Sequence, residues 1–168
     1  MHLSQIHTYP IKSTHPISPQ SAYLLPTGIA LDRHWMVIDG NNAMVTSRKH
    51  PKLLHVLSRV EGDNLRVTLK RQEFLLPLAA KPNTPIMVKH LAQARLLAWP
   101  QSEALDAALS DYLGMNCRIV FSASLYSKST SEAVSFADAQ PVLLTTTASL
   151  AALNQRLDVP IGMDRFRS

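Results

Sequence analysis

Two stretches of this 168-residue chain carry side chains suited to gripping an anion, Tyr9-Pro10-Ile11-Lys12-Ser13 and Gly28-Ile29-Ala30-Leu31-Asp32-Arg33-His34-Trp35-Met36-Val37. They place an ammonium, a guanidinium and a hydroxyl at the ends of predicted strands. A phosphate group takes several charge-assisted hydrogen bonds, and Lys12, Arg33 and Arg167 could supply them from different strands. Arg48, within Thr46-Ser47-Arg48, is a candidate for the rim of the same pocket. Farther on, Pro141-Val142-Leu143-Leu144-Thr145 reads as a buried strand feeding a helix through Thr145, Thr146 and Thr147. Free amides and hydroxyls at a positive helix end form an anion site, although the same threonines could simply cap the helix.

The elements that must hold these groups are mostly strands. Residues 1–11 alternate loosely, with Leu3, Ile6, Tyr9 and Ile11 as core candidates. His34-Trp35-Met36-Val37-Ile38 and Met44-Val45 flank Asp39-Gly40-Asn41-Asn42, which can take positive φ and close a hairpin. A second hairpin is predicted across Glu61-Gly62-Asp63-Asn64. Short strands so spaced indicate a barrel or sandwich, and the eleven prolines suit its loops and edges. Over residues 102–113, Leu105, Ala108, Leu109, Tyr112 and Leu113 recur at helical spacing between a Ser102 cap and a Gly114 end, an amphipathic helix packed on the barrel. Residues 123–135 have the serine-rich composition of a linker, and residues 148–157 have helical periodicity.

Composition bounds the function. At 46% hydrophobic and 17% charged residues the chain can bury a core. The net charge of +5 biases it toward anions, but the cations are scattered and aromatics reach only 6%, a poor supply for nucleic-acid stacking. No segment is apolar enough to span a membrane. The start lacks a secretory signal and there is one cysteine, so the cytoplasm follows as the default location. That residue, Cys117, sits in a predicted core strand and reads as a small buried side chain. The seven histidines show no HxH or HExxH spacing, and no metal ligands are assigned. Five glycines make no phosphate loop.

Tyr9-Pro10-Ile11-Lys12-Ser13, Asp32-Arg33-His34-Trp35-Met36-Val37-Ile38 and Met44-Val45-Thr46-Ser47-Arg48-Lys49-His50-Pro51-Lys52-Leu53 together resemble the MOSC N-terminal β-barrel domain, in its order and spacing. Phe136-Ala137-Asp138, Pro141 to Thr145, Ala148-Ser149-Leu150, Leu153-Asn154 and Phe166-Arg167 look like the opening of the MOSC domain that follows it. The resemblance implies a mainly β fold, a β-barrel with a packed helix over residues 1–122, a linker over 123–135, and the truncated strand–helix start of an α+β MOSC domain over 136–168. It further implies a molybdenum cofactor, a phosphorylated pterin dithiolene, in a parent oxidoreductase that reduces N-hydroxylated compounds with electrons from a flavin or iron–sulfur partner.

Carried over by position, Lys12 and Ser13 match the family's phosphate- and pterin-holding Lys-Ser, Arg33 the arginine of its Asp-Arg pair, Thr146 its helix-start hydroxyl and Arg167 the arginine of its Phe-Arg-Pro-Asn motif. Ser168 departs from that motif. Cys117 does not match the family's molybdenum-ligating cysteine, so no catalytic residue is assigned and the fragment is expected to be inactive alone and to hold no cofactor tightly. Two rival readings stand beside this one. One is a stand-alone anion- or protein-binding barrel without catalysis. The other is a sulfur-carrying MOSC protein linked to a pyridoxal-phosphate enzyme.

Overall fold

The computed structural model describes residues 2–79, 84–90, 95–122, 135–138 and 140–166. A short hairpin, β1 (Leu24–Leu25) and β2 (Gly28–Ile29), leads into β3 (Trp35–Asp39) and a 3-10 turn at Pro51–His55. β4 (Leu57–Glu61), β5 (Asn64–Leu69) and β6 (Gln72–Pro77) form a meander, followed by β7 (Ile86–Lys89), β8 (Arg95–Pro100), α1 (Glu103–Leu113), β9 (Cys117–Ser122) and α2 (Thr147–Asn154). The strands pair as a four-stranded sheet, β3-β9-β8-β7, a three-stranded sheet, β4-β5-β6, and the β1-β2 hairpin, each pairing antiparallel. This is the mainly β fold with a packed helix that the sequence predicts.

The alternation of β3 explains how the sheet is covered on both sides. Trp35 and Val37 point into one cluster with Ile11, Leu65, Val67, Leu76, Leu105, Leu109, Ile119 and Phe121. Met36 and Ile38 point the other way, to Val88, Ala98, Val120 and Phe136. Side chains of a strand alternate between faces, so a run with no polar break must be buried on both. The meander and α1 cover the first face. Phe136, fully buried, caps the second from far along the chain, and burying such a side chain contributes about 1.5–3 kcal/mol.

Several turns follow the predicted chemistry. Asp39 Oδ1 accepts from the amides of Asn41 and Ala43 at 2.8 and 2.9 Å, and Asn42 takes φ 58°. Ser102 caps α1 by accepting from the Leu105 amide at 3.3 Å, and Gly114 ends it at φ 71°. Two expectations fail. Leu3 is exposed and Ile6 only half-buried, so the core at the N-terminus begins with Tyr9 and Ile11. Residues 141–145 form no strand, and Val142, Leu143 and Leu144 are exposed. A strand needs a neighbour for its amides and cover for its apolar face, and no described element supplies either. Pro141 alone is held closely, its carbonyl oxygen lying 2.7 Å from where a Cβ on Gly28 would stand. Apart from Ser135, the serine-rich stretch lies outside the described residues.

Where β8 ends in Pro100, α1 completes the ladder: Asp106 Oδ1 accepts from the Ile119 amide at 2.7 Å. Burial raises the Asp106 carboxyl to about 6, against the pull of that amide. Folding then favours the protonated acid, so the Asp106 contribution to stability is full below about pH 4 and falls as pH rises through 6. Buried His34, lowered to about 4 by desolvation, has the opposite slope in an overlapping window, so the informative quantity is a difference between proteins. Asp106→Asn, which keeps an acceptor for Ile119, should gain on the parent by the order of 2 kcal/mol between pH 4 and pH 7 in urea titrations. A pH-independent difference would show that Asp106 is ionised as readily in the fold as out of it.

Candidate functional site

The anion-binding candidates meet where residues 9–14 cross the start of β3. The Trp35 amide donates to Pro10 O at 3.0 Å, the Lys12 amide to Trp35 O at 2.8 Å and the Arg33 amide to Tyr9 O at 2.8 Å. These bonds lay the two motifs side by side. Ser13 and Arg33 both have positive φ, 66° and 55°, a conformation uncommon for non-glycine residues and one that clusters at functional sites. At Ser13 the chain turns sharply enough for Thr14 to bond back to Ile11 O, through its amide at 3.3 Å and its hydroxyl at 2.8 Å.

Both cations are buried, at 6% residual exposure for Lys12 and 5% for Arg33. Arg33 pairs with the Asp32 carboxylate, and the other Asp32 oxygen accepts from the Tyr9 amide at 2.7 Å. The guanidinium also lies 5.6 Å from the centre of the Tyr9 ring, a cation–π distance. Burial pushes the Asp32 carboxyl upward, while Arg33 and the Tyr9 amide hold it down.

Lys12 is occupied from an unexpected direction. Its Nζ donates to Phe136 O at 2.7 Å and pairs with the Asp138 carboxylate. His90 Nε2 reaches the same Phe136 carbonyl at 3.1 Å and lies 4.0 Å from Asp138 Oδ1. Residues 135–138 form a strap over the two cations, fastened by Ser135 Oγ donating to Asp32 O at 2.8 Å, by the Phe136 amide donating to Arg33 O at 2.9 Å, and by the buried Phe136 ring. Burial lowers the Lys12 ammonium below its ordinary value; Asp138 opposes this, and the charges of Arg33 and Arg48 add to it. His90 is lowered first by burial and then by Lys12.

The structure thus brings Lys12, Ser13 and Arg33 together, with exposed Arg48 near enough for its charge to bear on Lys12. Thr146 is exposed and caps α2, its hydroxyl accepting from the Ser149 amide at 3.0 Å. None of the described contacts joins it to Lys12 or Arg33. Arg167 lies outside the described residues. Cys117 is buried beside Ser110, as a core residue would be. No cluster of potential metal ligands occurs among the described residues. Sequence reasoning missed His90 and Asp138: the first has no motif, and the second sits in Phe136-Ala137-Asp138 with nothing local to tie it to Lys12. A separate open groove of about 960 Å³ lies between α1 and the turn from β5 to β6, with Lys70, Arg71 and Tyr112 among its walls.

Comparison with known proteins agrees with the β motifs. The model of the MOSC N-terminal beta barrel domain matches residues 1–116. The mitochondrial amidoxime-reducing component 1 of Mus musculus is 28% identical over 98% of this chain and 53% of its own length. The human protein of the same name is 26% identical over 98% of this chain and 54% of its own. The chain therefore spans about half the length of these relatives. A molybdenum cofactor sulfurase of Danio rerio is 24% identical over 70% of this chain and 15% of its own length. The solution structure of a Bordetella bronchiseptica protein superposes with a TM-score of 0.50 at 14% identity, covering 66% of this chain and 95% of that one, a likeness of fold alone. The cytoplasmic expectation is overturned by relatives whose names place them in mitochondria. It rested on the composition of the first residues and on a single cysteine, neither of which fixes a compartment.

Arg33 lies at the start of β3 as a buried cation, so its pairing with Asp32 bears on stability. Arg33→Ala would leave Asp32 charged and unpaired, a loss of about 3–5 kcal/mol for a buried pair. Chemical denaturation should show that loss, with Arg33→Lys retaining part of it. A loss under about 1 kcal/mol would mean the pair is solvated.

Proposed function

The chain belongs to the MOSC N-terminal beta barrel domain family, and from that premise we propose that it holds the phosphate end of a pterin-bound molybdenum cofactor and shapes substrate access in a MOSC oxidoreductase acting on N-hydroxylated compounds. The observation that carries this reading is the pair of buried cations, Lys12 and Arg33, set side by side at the start of β3 and backed by the charge of Arg48. Arg33 is paired with Asp32 and Lys12 with the partly exposed Asp138, and Arg48 adds a further positive charge beside them. The donor set fits a phosphate: an ammonium, a guanidinium, a second guanidinium at the rim, and the Ser13 hydroxyl on a left-handed turn. When bound, such a cofactor supplies two-electron reduction, with electrons from a flavin or iron–sulfur partner. The residues of this chain bind and orient. Lys12 and Arg33 hold charge, Ser13 offers a neutral donor, and Asp32 keeps Arg33 and the Tyr9 backbone in register.

In the same reading residues 136–168 are the opening of a MOSC domain, and Thr146 and Arg167 join the phosphate grip only when that domain is assembled. The exposed Val142, Leu143 and Leu144 and an α2 without a buried residue support this, since such apolar surface is stable when covered. The names of these relatives do not mention pyridoxal phosphate.

Titrating inorganic phosphate while following amide resonances should move Lys12, Ser13 and Arg33 together, with an affinity of about millimolar, or roughly −4 kcal/mol. Lys12→Met should abolish those shifts in a folded protein. Shifts centred on Lys70 and Arg71 would overturn the reading. Amide exchange offers a separate check on the domain assignment: residues 142–146 should exchange orders of magnitude faster than Leu65, Val67 and Leu69 in β5. Comparable protection would mean that the segment is covered after all.

A further inference from the structure

We propose that Asp138 is a built-in competitor for the anion site, a carboxylate that occupies Lys12 until a phosphate group displaces it, and so sets how much charge a ligand must carry to enter. The inference rests on the phosphate-holding reading above. Lys12 has a side chain 7% exposed, and its described partners are both on the strap, Phe136 O and the Asp138 carboxylate. The two differ in how firmly they are held. Phe136 O belongs to a backbone fixed by its own amide on Arg33 O and by a fully buried ring. The Asp138 side chain is 37% exposed, and among the described residues its hydrogen-bonded ion pair is with Lys12, His90 Nε2 standing 4.0 Å away. One acceptor is therefore structural and the other exchangeable: rotation of a single exposed side chain releases Asp138 to water and leaves Lys12 bonded to Phe136 O.

Charge decides what can make that exchange. Among the described residues, Arg33 and Arg48 stand around Lys12 as cations and Asp32 and Asp138 as carboxylates, with His90, held low by burial, neutral. Three cations against two carboxylates leave one net positive charge while Asp138 is in place, and two once it swings out. A phosphate monoester dianion balances the opened site. A monoanion such as a carboxylate only replaces like with like and gains nothing over Asp138, which is tethered and therefore present at high effective concentration. The site selects doubly charged anions.

The test compares inorganic phosphate titrations of the parent chain, Asp138→Asn and Asp138→Ser, followed by the amide resonances of Lys12, Ser13 and Arg33. Both variants change a partly exposed side chain, and dispersed amide spectra establish that each is folded. The expected result is saturation at a phosphate concentration at least tenfold lower in both variants, with the gain removed when Lys12→Met is added. In the parent, the Asp138 carboxyl carbon resonance should shift in step with phosphate saturation. Equal or weaker phosphate binding in folded variants, while the parent binds, would overturn the competitor and leave the phosphate-holding reading intact. Absence of binding in all proteins would overturn both.

Discussion

The ion pair between Arg33 and Asp32 is the constraint on which the rest of this molecule turns. Asp32 uses one oxygen for the guanidinium and the other for the Tyr9 amide, so a single carboxylate joins the segment before β3 to the segment that carries Lys12. Arg33 in turn exposes its backbone at positive φ, with its amide on Tyr9 O and its carbonyl on the Phe136 amide. Three stretches distant in sequence are thereby tied at one point. Inside a low-dielectric environment an isolated ion of this kind would be costly, and the pairing is what allows both charges to be there.

From this point the architecture of the barrel and that of the site become the same problem. β3 is buried on both faces because its alternate residues serve two clusters, and the second cluster is closed by Phe136. The ring that completes the core also brings Phe136 O and Asp138 to Lys12. Packing and electrostatics therefore cannot be varied independently at this edge. A change that loosens Phe136 would release the acceptor of Lys12, and a change at Arg33 would loosen the strap.

Much of this is legible in the sequence. Hairpin turns at residues 39–42 and 61–64, the capped helix α1, and the buried strand around Cys117 follow from φ preference, capping chemistry and periodicity, all local properties. Lys12, Ser13 and Arg33 stood out by type and motif. What the one-dimensional pattern misjudged depends on neighbours. Residues 141–145 have the composition of a buried strand, but burial is a relation between segments, and without a partner the same residues lie exposed. Thr146 fits a helix start and does cap one, yet capping a helix and facing Lys12 are different facts.

By itself the sequence determined the β-rich class, the positions of turns and caps, and the presence of cations suited to an anion, because each is written in residue type over a few positions. Only the tertiary structure decided that those cations are buried rather than solvated, and that Asp138, 126 residues from Lys12, is its counter-ion. It also decided that His90 shares the Phe136 carbonyl with Lys12. Desolvation and ion pairing depend on distance through space, and chain separation carries no information about that until the core has closed.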